Sequence, residues 1–199
     1  MEINVLMDAK AQDVHELFGR ESISEHIGAR RIVILETAPQ KRTIKLCDTG
    51  ADYSFIGTNT FYLQFPWMQF AFFRGKMGVA FKEGPGEESG TLMMPPLPNV
   101  YQDSGRVCLG DKCIAQDLDM AEAIKFVGLF WMMKFDIYPV GEWKGLTTLR
   151  TIWPVPSELF EDHHLYAFRQ WQKEGLDLSE LRSKGPTVNH WKSIYSRMI

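Results

Sequence analysis

The sequence predicts an α+β fold, a meander of about four antiparallel strands packed on helices. Three observations carry this prediction. The segments RRIVILETA, RTIKLCDTG, NTFYLQFPWMQFAFF and MGVAFKE are rich in β-branched and aromatic residues, with Pro, Gly or Asn punctuation between them. Downstream, MAEAIKFVGLFWMMKF is apolar on nearly every face, the pattern of a largely buried helix. Further on, Phe160, His164, Phe168 and Trp171 recur at helical intervals before Gly175, a natural stop.

Taken in order, Asp8 to Gly19 places Val14, Leu17 and Phe18 at helical spacing, so a short N-terminal helix is expected with Asp8 as its cap. The four strand segments follow, then GPGEESG, small, polar and turn-prone, which reads as an exposed loop. From there to Cys108 neither period is present, and Pro95, Pro96 and Pro98 remove backbone donors. That stretch is expected to lie extended along the edge of the sheet. Asp119 and Glu122 stand in capping-box spacing ahead of the apolar helix, which is drawn from residues 119–136. Its Trp131, Met132 and Met133 read as core. Residues 139–156, with their prolines and glycines, read as a linking loop, Ser157 to Glu174 as an amphipathic helix on the domain, and GPTVNHWKSIYSRMI as a tail without a period. The expected division is a domain over residues 1–156 with a C-terminal helical extension, 157–199, packed on it. Repeats and low-complexity tracts are absent from the sequence.

The 199 residues, 45% of them hydrophobic, suffice for one ample core and are short for two independent domains. Formal charge is −3 with no long run of either sign, so neither a nucleic-acid nor a membrane partner is expected. The apolar windows Phe61 to Phe73 and Ile124 to Phe135 are too short for a bilayer. Cysteines number three, which cannot all pair within the chain, and MEINVLMDAK lacks the basic-then-apolar order of a signal peptide. A reducing cytoplasm is the expected compartment.

Two motifs compete for chemistry. Asp48-Thr49-Gly50-Ala51 looks like the active-site tetrapeptide of retroviral aspartic proteases, whose mechanism needs two carboxylates about 3 Å apart sharing a proton. The chain holds one copy, so a protease would have to be a dimer, and Asp-Thr-Gly equally suits a β-turn between strands. The second motif is PPLPNVYQDSGRVCLG, residues 95–110. An accessible Cys108 could act as a nucleophile, since the thiolate is the reactive form, and Asn99 could donate its amide to an oxyanion. Val-Cys-Leu by itself is equally a core triplet, and Asn99 equally a turn former. Cys108 and Cys113 form C-x4-C, but no second pair of ligands stands at zinc spacing, so no metal is expected; a Cys108 to Cys113 disulfide is a further alternative.

The segment from Pro98-Asn99 to Gly105-Arg106-Val107-Cys108-Leu109 resembles the active-site stretch of ubiquitin-conjugating enzymes, the E2 family, where His-Pro-Asn precedes a glycine-containing turn and the catalytic Cys-Leu. With the later KFDI it looks most like the prokaryotic E2 group D, related to a component of ThiF-containing gene cassettes. Leu97 stands where the family has histidine, and the spacing from Asn99 to Cys108 is one residue longer than in eukaryotic members. Group members are expected to offer another histidine after the cysteine; His163, His164 and His190 are the downstream candidates. The resemblance implies a UBC-like fold and catalytic residues Cys108 and Asn99. It also implies a carrier that accepts a ubiquitin-like protein from an E1-like ThiF-family enzyme as a thioester and passes it to an amine on a protein target. ATP would be used by the E1 partner, so no cofactor is implied. The alternative within the same fold is a catalytically inactive adaptor that binds such a partner.

Overall fold

The computed structural model describes residues 3–9, 32–48, 57–85, 91–110, 112–116, 118–136, 144–159, 163–185 and 187–188. Its centre is one long antiparallel ribbon. Strands β2 (Ile32–Thr37) and β5 (Trp67–Phe73) pair from Val33↔Phe72 to Thr37↔Met68, and β3 (Gln40–Asp48) pairs with β4 (Gly57–Phe65) from Gln40↔Phe65 to Asp48↔Gly57. The two ladders share one register, because three steps forward from Thr37 to Gln40 match three steps back from Met68 to Phe65. In that register Pro39 faces Pro66. Neither has an N–H to give a ladder, so pairing lapses there and the ribbon divides between two sheets.

One arm lies in a sheet of order β1-β2-β5-β6-β7-β9 and the other in a sheet of order β4-β3-β8. β1 (Ile3–Ala9) flanks β2 and β6 (Lys76–Lys82) flanks β5, both antiparallel, so the fold is α+β with a four-stranded antiparallel meander whose two inner strands are bent. The expected strand segments all form, but their partnership differs from a simple meander. RRIVILETA and RTIKLCDTG supply successive arms of one bent strand and do not pair with each other, and NTFYLQFPWMQFAFF is divided at Pro66. β1 was not expected. Asp8, read as a helix cap, lies opposite Val33 in β1, and residues 10–19 of the expected helix lie outside the described residues.

Short strands complete the sheets. β7 (Leu92–Met93) joins β6 through Phe81↔Met93, β9 (Thr187–Val188) joins β7, and β8 (Lys134–Asp136) runs parallel to β3. Asp48 closes the β3 ladder opposite Gly57; the turn expected of Thr49 and Gly50 lies outside the described residues, as does 86–90 of the expected loop.

Helix α1 (Met120–Met132) begins with the expected capping box: the Glu122 N–H donates to Asp119 Oδ1 at 2.8 Å and the Asp119 N–H to Glu122 Oε2 at 3.1 Å. It is less buried than its composition suggests. Ala123, Val127 and Phe130 form the buried stripe, whereas Ile124 is 40% and Met132 72% exposed. The chain leaves the helix at Met133, earlier than expected, because Phe135 turns into the core against Phe130 at 5.5 Å and Lys134–Asp136 pairs with β3.

The region read as a linking loop holds helix α2 (Lys144–Ile152), a correction with a local cause. Its prolines, Pro139, Pro154 and Pro156, flank the helix and do not interrupt it, and Leu149 is buried on its inner side. Helix α3 (His163–Glu174) starts later than Ser157 and stops at Gly175, where φ is +80° and the N–H donates to Trp171 O at 2.9 Å. A last helix, α4 (Leu178–Lys184), is capped by Asp177, whose carboxylate accepts from the Ser179 N–H at 2.8 Å. Hydrogen bonding from the Ser179 side chain, and then from its backbone N–H, favours the charged form and holds the Asp177 carboxyl below the usual aspartate value.

The core is an aromatic cluster centred at the bend. Phe65, next to Pro66, has ring centroids 4.8 Å from Trp131, 5.4 Å from Trp171 and 6.2 Å from Phe81. Phe70 packs on Phe130 at 5.3 Å. The opposite face of the larger sheet is buried too, carrying Ile32, Ile34, Ala71, Phe73 and Ala80. Within it Lys82 Nζ pairs with Glu36 Oε2 at 2.9 Å, and Gln69 Nε2 donates to the same oxygen at 3.4 Å. Lys82→Met removes the cation and leaves a buried carboxylate, so urea denaturation should show a loss of about 3–5 kcal/mol. Adding Glu36→Gln to that variant should restore a large part of it.

Candidate active site

Residues 99–108 form a narrow hairpin attached to the edge of β6. Val100 and Val107 are bridged across it, the Tyr101 N–H donates to Arg106 O at 2.8 Å, and the Cys108 N–H donates to Asn99 O at 2.7 Å. At the tip, Gly105 N–H returns to Tyr101 O at 2.7 Å. The outer arm then docks on β6: Val79 N–H donates to Gly105 O and Val107 N–H to Met77 O, both at 2.8 Å, with Gly78 bridged to Arg106. The stretch therefore lies along the sheet edge, as expected. Upstream it is pinned by Gln102, whose Nε2 donates to Pro95 O at 2.5 Å.

This docking needs a glycine. Gly105 has φ +65°, and a Cβ there would stand 2.8 Å from Val79 O and 3.0 Å from Met94 Sδ. Asn99 is the other left-handed position of the hairpin, with φ +63°, a conformation asparagine tolerates better than most residues. Its side chain reaches across to β8: Nδ2 donates to Lys134 O at 3.1 Å and Oδ1 accepts from the Asp136 N–H at 3.4 Å. One amide thus ties the hairpin on the larger sheet to the edge of the smaller one.

Cys108 sits beside that tie, half-buried and in no disulfide; Cys113 is exposed, and Cys47 is buried with its sulfur 3.8 Å from Thr58 Oγ1. No disulfide joins Cys108 to Cys113. Among the described residues no group of three His, Cys, Asp or Glu is arranged to hold a metal ion. Leu97, at the family's histidine position, is fully buried in the core. His163 and His164 open α3, which packs on β4 and α2, and His190 lies outside the described residues.

The register also brings up residues that no local motif marks. The Val107 N–H bonds to Met77 O, and Lys76 and Cys108 are the next residues along each chain beyond this last bonded pair. Arg106 lies over the Tyr101 ring, its guanidinium carbon 4.4 Å from the centroid. Partial burial, and then the positive charges of Arg106 and Arg74, hold the Lys76 ammonium below the usual lysine value. The only local signal for Lys76 is strand alternation in KMGVAFK, where Met77, Val79 and Phe81 turn inward; which residue it faces depends on the docking of a segment about thirty positions away.

An antiparallel meander, a proline-rich segment on its edge that ends in a free cysteine, and a following helix across the sheet define a UBC-like α+β protein. Residues 4–155 match the model of prokaryotic E2 family D, and the chain belongs to that family. Neither the curated proteins nor the solved structures contain a significant match to it.

Gly105→Ala should cost about 1–3 kcal/mol, from backbone strain at positive φ and from the contact with Val79 O, measured by chemical denaturation. Asn99→Gly relaxes the left-handed backbone but removes the tie to β8, so it should still cost about 1 kcal/mol, and Asn99→Ala should cost more than Asn99→Gly.

Proposed function

We propose that the chain is an E2-type carrier in which Cys108 takes a ubiquitin-like protein from an E1-like, ThiF-family enzyme as a thioester and releases it to an amine on a protein target. The single observation that carries this reading is the state of Cys108: a free, half-buried cysteine at the end of the edge-docked segment, hydrogen-bonded through its backbone to Asn99. A thiol placed there can be reached by a partner while its backbone stays fixed. Asn99 is the proposed oxyanion donor. An amide nitrogen carries two hydrogens, and the bond to Lys134 O holds the group in place through one of them. No cofactor is needed by the carrier itself, since the E1 partner spends the ATP.

The carrier unit is proposed to span residues 1–156, with 157–199 an extension built on it; the end of the family match at residue 155 supports this division. No described helix is long and apolar enough to cross a membrane. A reducing cytoplasm is the proposed compartment, where a thiol such as Cys108 stays available.

The test is charging with the cognate E1-like enzyme, modifier and ATP. Wild type should form an adduct that survives non-reducing gels and is removed by thiol; Cys108→Ser should give a thiol-resistant oxyester or no adduct, and Cys113→Ser should still charge. Asn99→Ala should slow discharge to an amine by about a hundredfold, more than it slows charging, because the donor matters most when the oxyanion forms. An adduct that persists in Cys108→Ala moves the site elsewhere. No adduct under any condition, with partner binding intact in Cys108→Ala, makes the protein an inactive adaptor.

A further inference from the structure

We propose that Lys76 is a built-in acceptor for Cys108: an acyl group carried on the sulfur passes to Lys76 Nζ when no external amine takes it, so the protein modifies itself at that lysine. This rests on the thioester chemistry proposed for Cys108 and adds a specific acceptor to it.

The argument begins with the ladder between β6 and the outer arm of the hairpin. Hydrogen bonds from Val79 N–H to Gly105 O and from Val107 N–H to Met77 O make those two pairs the hydrogen-bonded ones. Gly78↔Arg106, between them, is a non-hydrogen-bonded pair; the bridging ends there, and carrying the same register one residue past Met77 and Val107 sets Lys76 against Cys108. The Cys108 N–H agrees with that, since it points away from β6 to Asn99 O. In non-hydrogen-bonded pairs facing Cβ atoms stand roughly 4.5–5.5 Å apart, the closest approach a sheet allows. Met77, Val79 and Val107 turn into the core, so alternation puts Lys76, Arg106 and Cys108 together on the opposite face, where each is partly buried.

Of the basic groups gathered there, a lysine alone can accept an acyl group. Arginine stays protonated and its guanidinium is no nucleophile at neutral pH, and Arg106 lies against the Tyr101 ring. Burial and the two guanidinium groups disfavour the Lys76 ammonium, which raises the fraction of neutral amine that can attack. The four-carbon stem lets Nζ reach a carbonyl carbon bonded to Cys108 Sγ. In the step, the Nζ lone pair forms the C–N bond, the C–S bond breaks, and Cys108 leaves as thiolate. The proton lost from nitrogen goes to that thiolate or to water. An amide and a free thiol result, and no oxidant or reductant takes part.

A small aryl thioester, S-phenyl thioacetate, tests this without any protein partner. In a Cys113→Ser background it should acetylate Cys108 by thiol exchange, after which peptide mapping should find the acetyl group on Lys76. Cys108→Ala in the same background should lower the rate of Lys76 acetylation by at least about tenfold, the advantage of an intramolecular step being lost. Lys76→Arg keeps the positive charge and should lengthen the life of the Cys108 thioester by a similar factor, about tenfold. Equal Lys76 acetylation in Cys108→Ala, an unchanged thioester lifetime in Lys76→Arg, arrival of the label at Lys134 instead, or no acetyl at Cys108 would each overturn the inference. A chain that passes acetyl from Cys108 to Lys76 but never charges with a modifier would keep it and remove the carrier function.

Discussion

Two prolines facing each other across a ladder shape this molecule. Pro39 and Pro66 occupy opposed positions in a register that is otherwise continuous over both arms of the ribbon. With neither N–H present the ladder lapses, and the arms are free to join different sheets. The aromatic cluster fills the space this creates. Phe65 adjoins the break and meets Trp131 of α1, Trp171 of α3 and Phe81 of β6, so helices from distant parts of the chain converge on one ring. An unbroken hairpin would present a single surface and leave less room for this convergence.

The division has a consequence for the site. The hairpin that ends at Cys108 belongs to the larger sheet through β6, whereas β8 belongs to the smaller one through β3. Asn99 spans the seam with both polar atoms of its amide, donating to Lys134 O and accepting from the Asp136 N–H. Cys108 is therefore held from two sides, by the pairing of its arm with β6 and by its own bond to Asn99 O. In such a setting the residue that positions the thiol is also the one proposed to serve its chemistry, so the positioning role of Asn99 and its proposed donor role are separated by comparing charging with discharge.

The C-terminal helices guard an edge that the smaller sheet would otherwise expose. β4 is its outer strand, and α3 meets its backbone directly: the Tyr62 N–H donates to Gln172 Oε1 at 2.7 Å and Trp171 Nε1 donates to Gln64 O at 3.1 Å. Side chains of a helix thus stand in for a further strand, one of the ways proteins keep an edge from pairing with another chain. Phe168 and Trp171 join the common core, so residues beyond the family match share one core with residues inside it.

What could be read from the sequence alone was what depends on neighbours along the chain. The Asp119 and Glu122 box marks a helix start because both groups are three residues apart, Gly175 marks a stop, and Pro-Asn with Gly-Arg-Val-Cys-Leu marks the family because the motif is local. The strand segments were legible for the same reason, through β-branched and aromatic content. Their partners were not. Whether RRIVILETA pairs with RTIKLCDTG or merely continues into it is decided by a ladder with residues some thirty positions away. β1 was hidden because Asp8 and the following residues also fit a helix start, and α2 because flanking prolines resemble a loop. The length of buried face on α1 depended on what packs against it. Lys76 was the least legible of all: what it stands near is set by the register of one strand against a segment without any period, and a slip of a single residue there would turn its side chain to the other face.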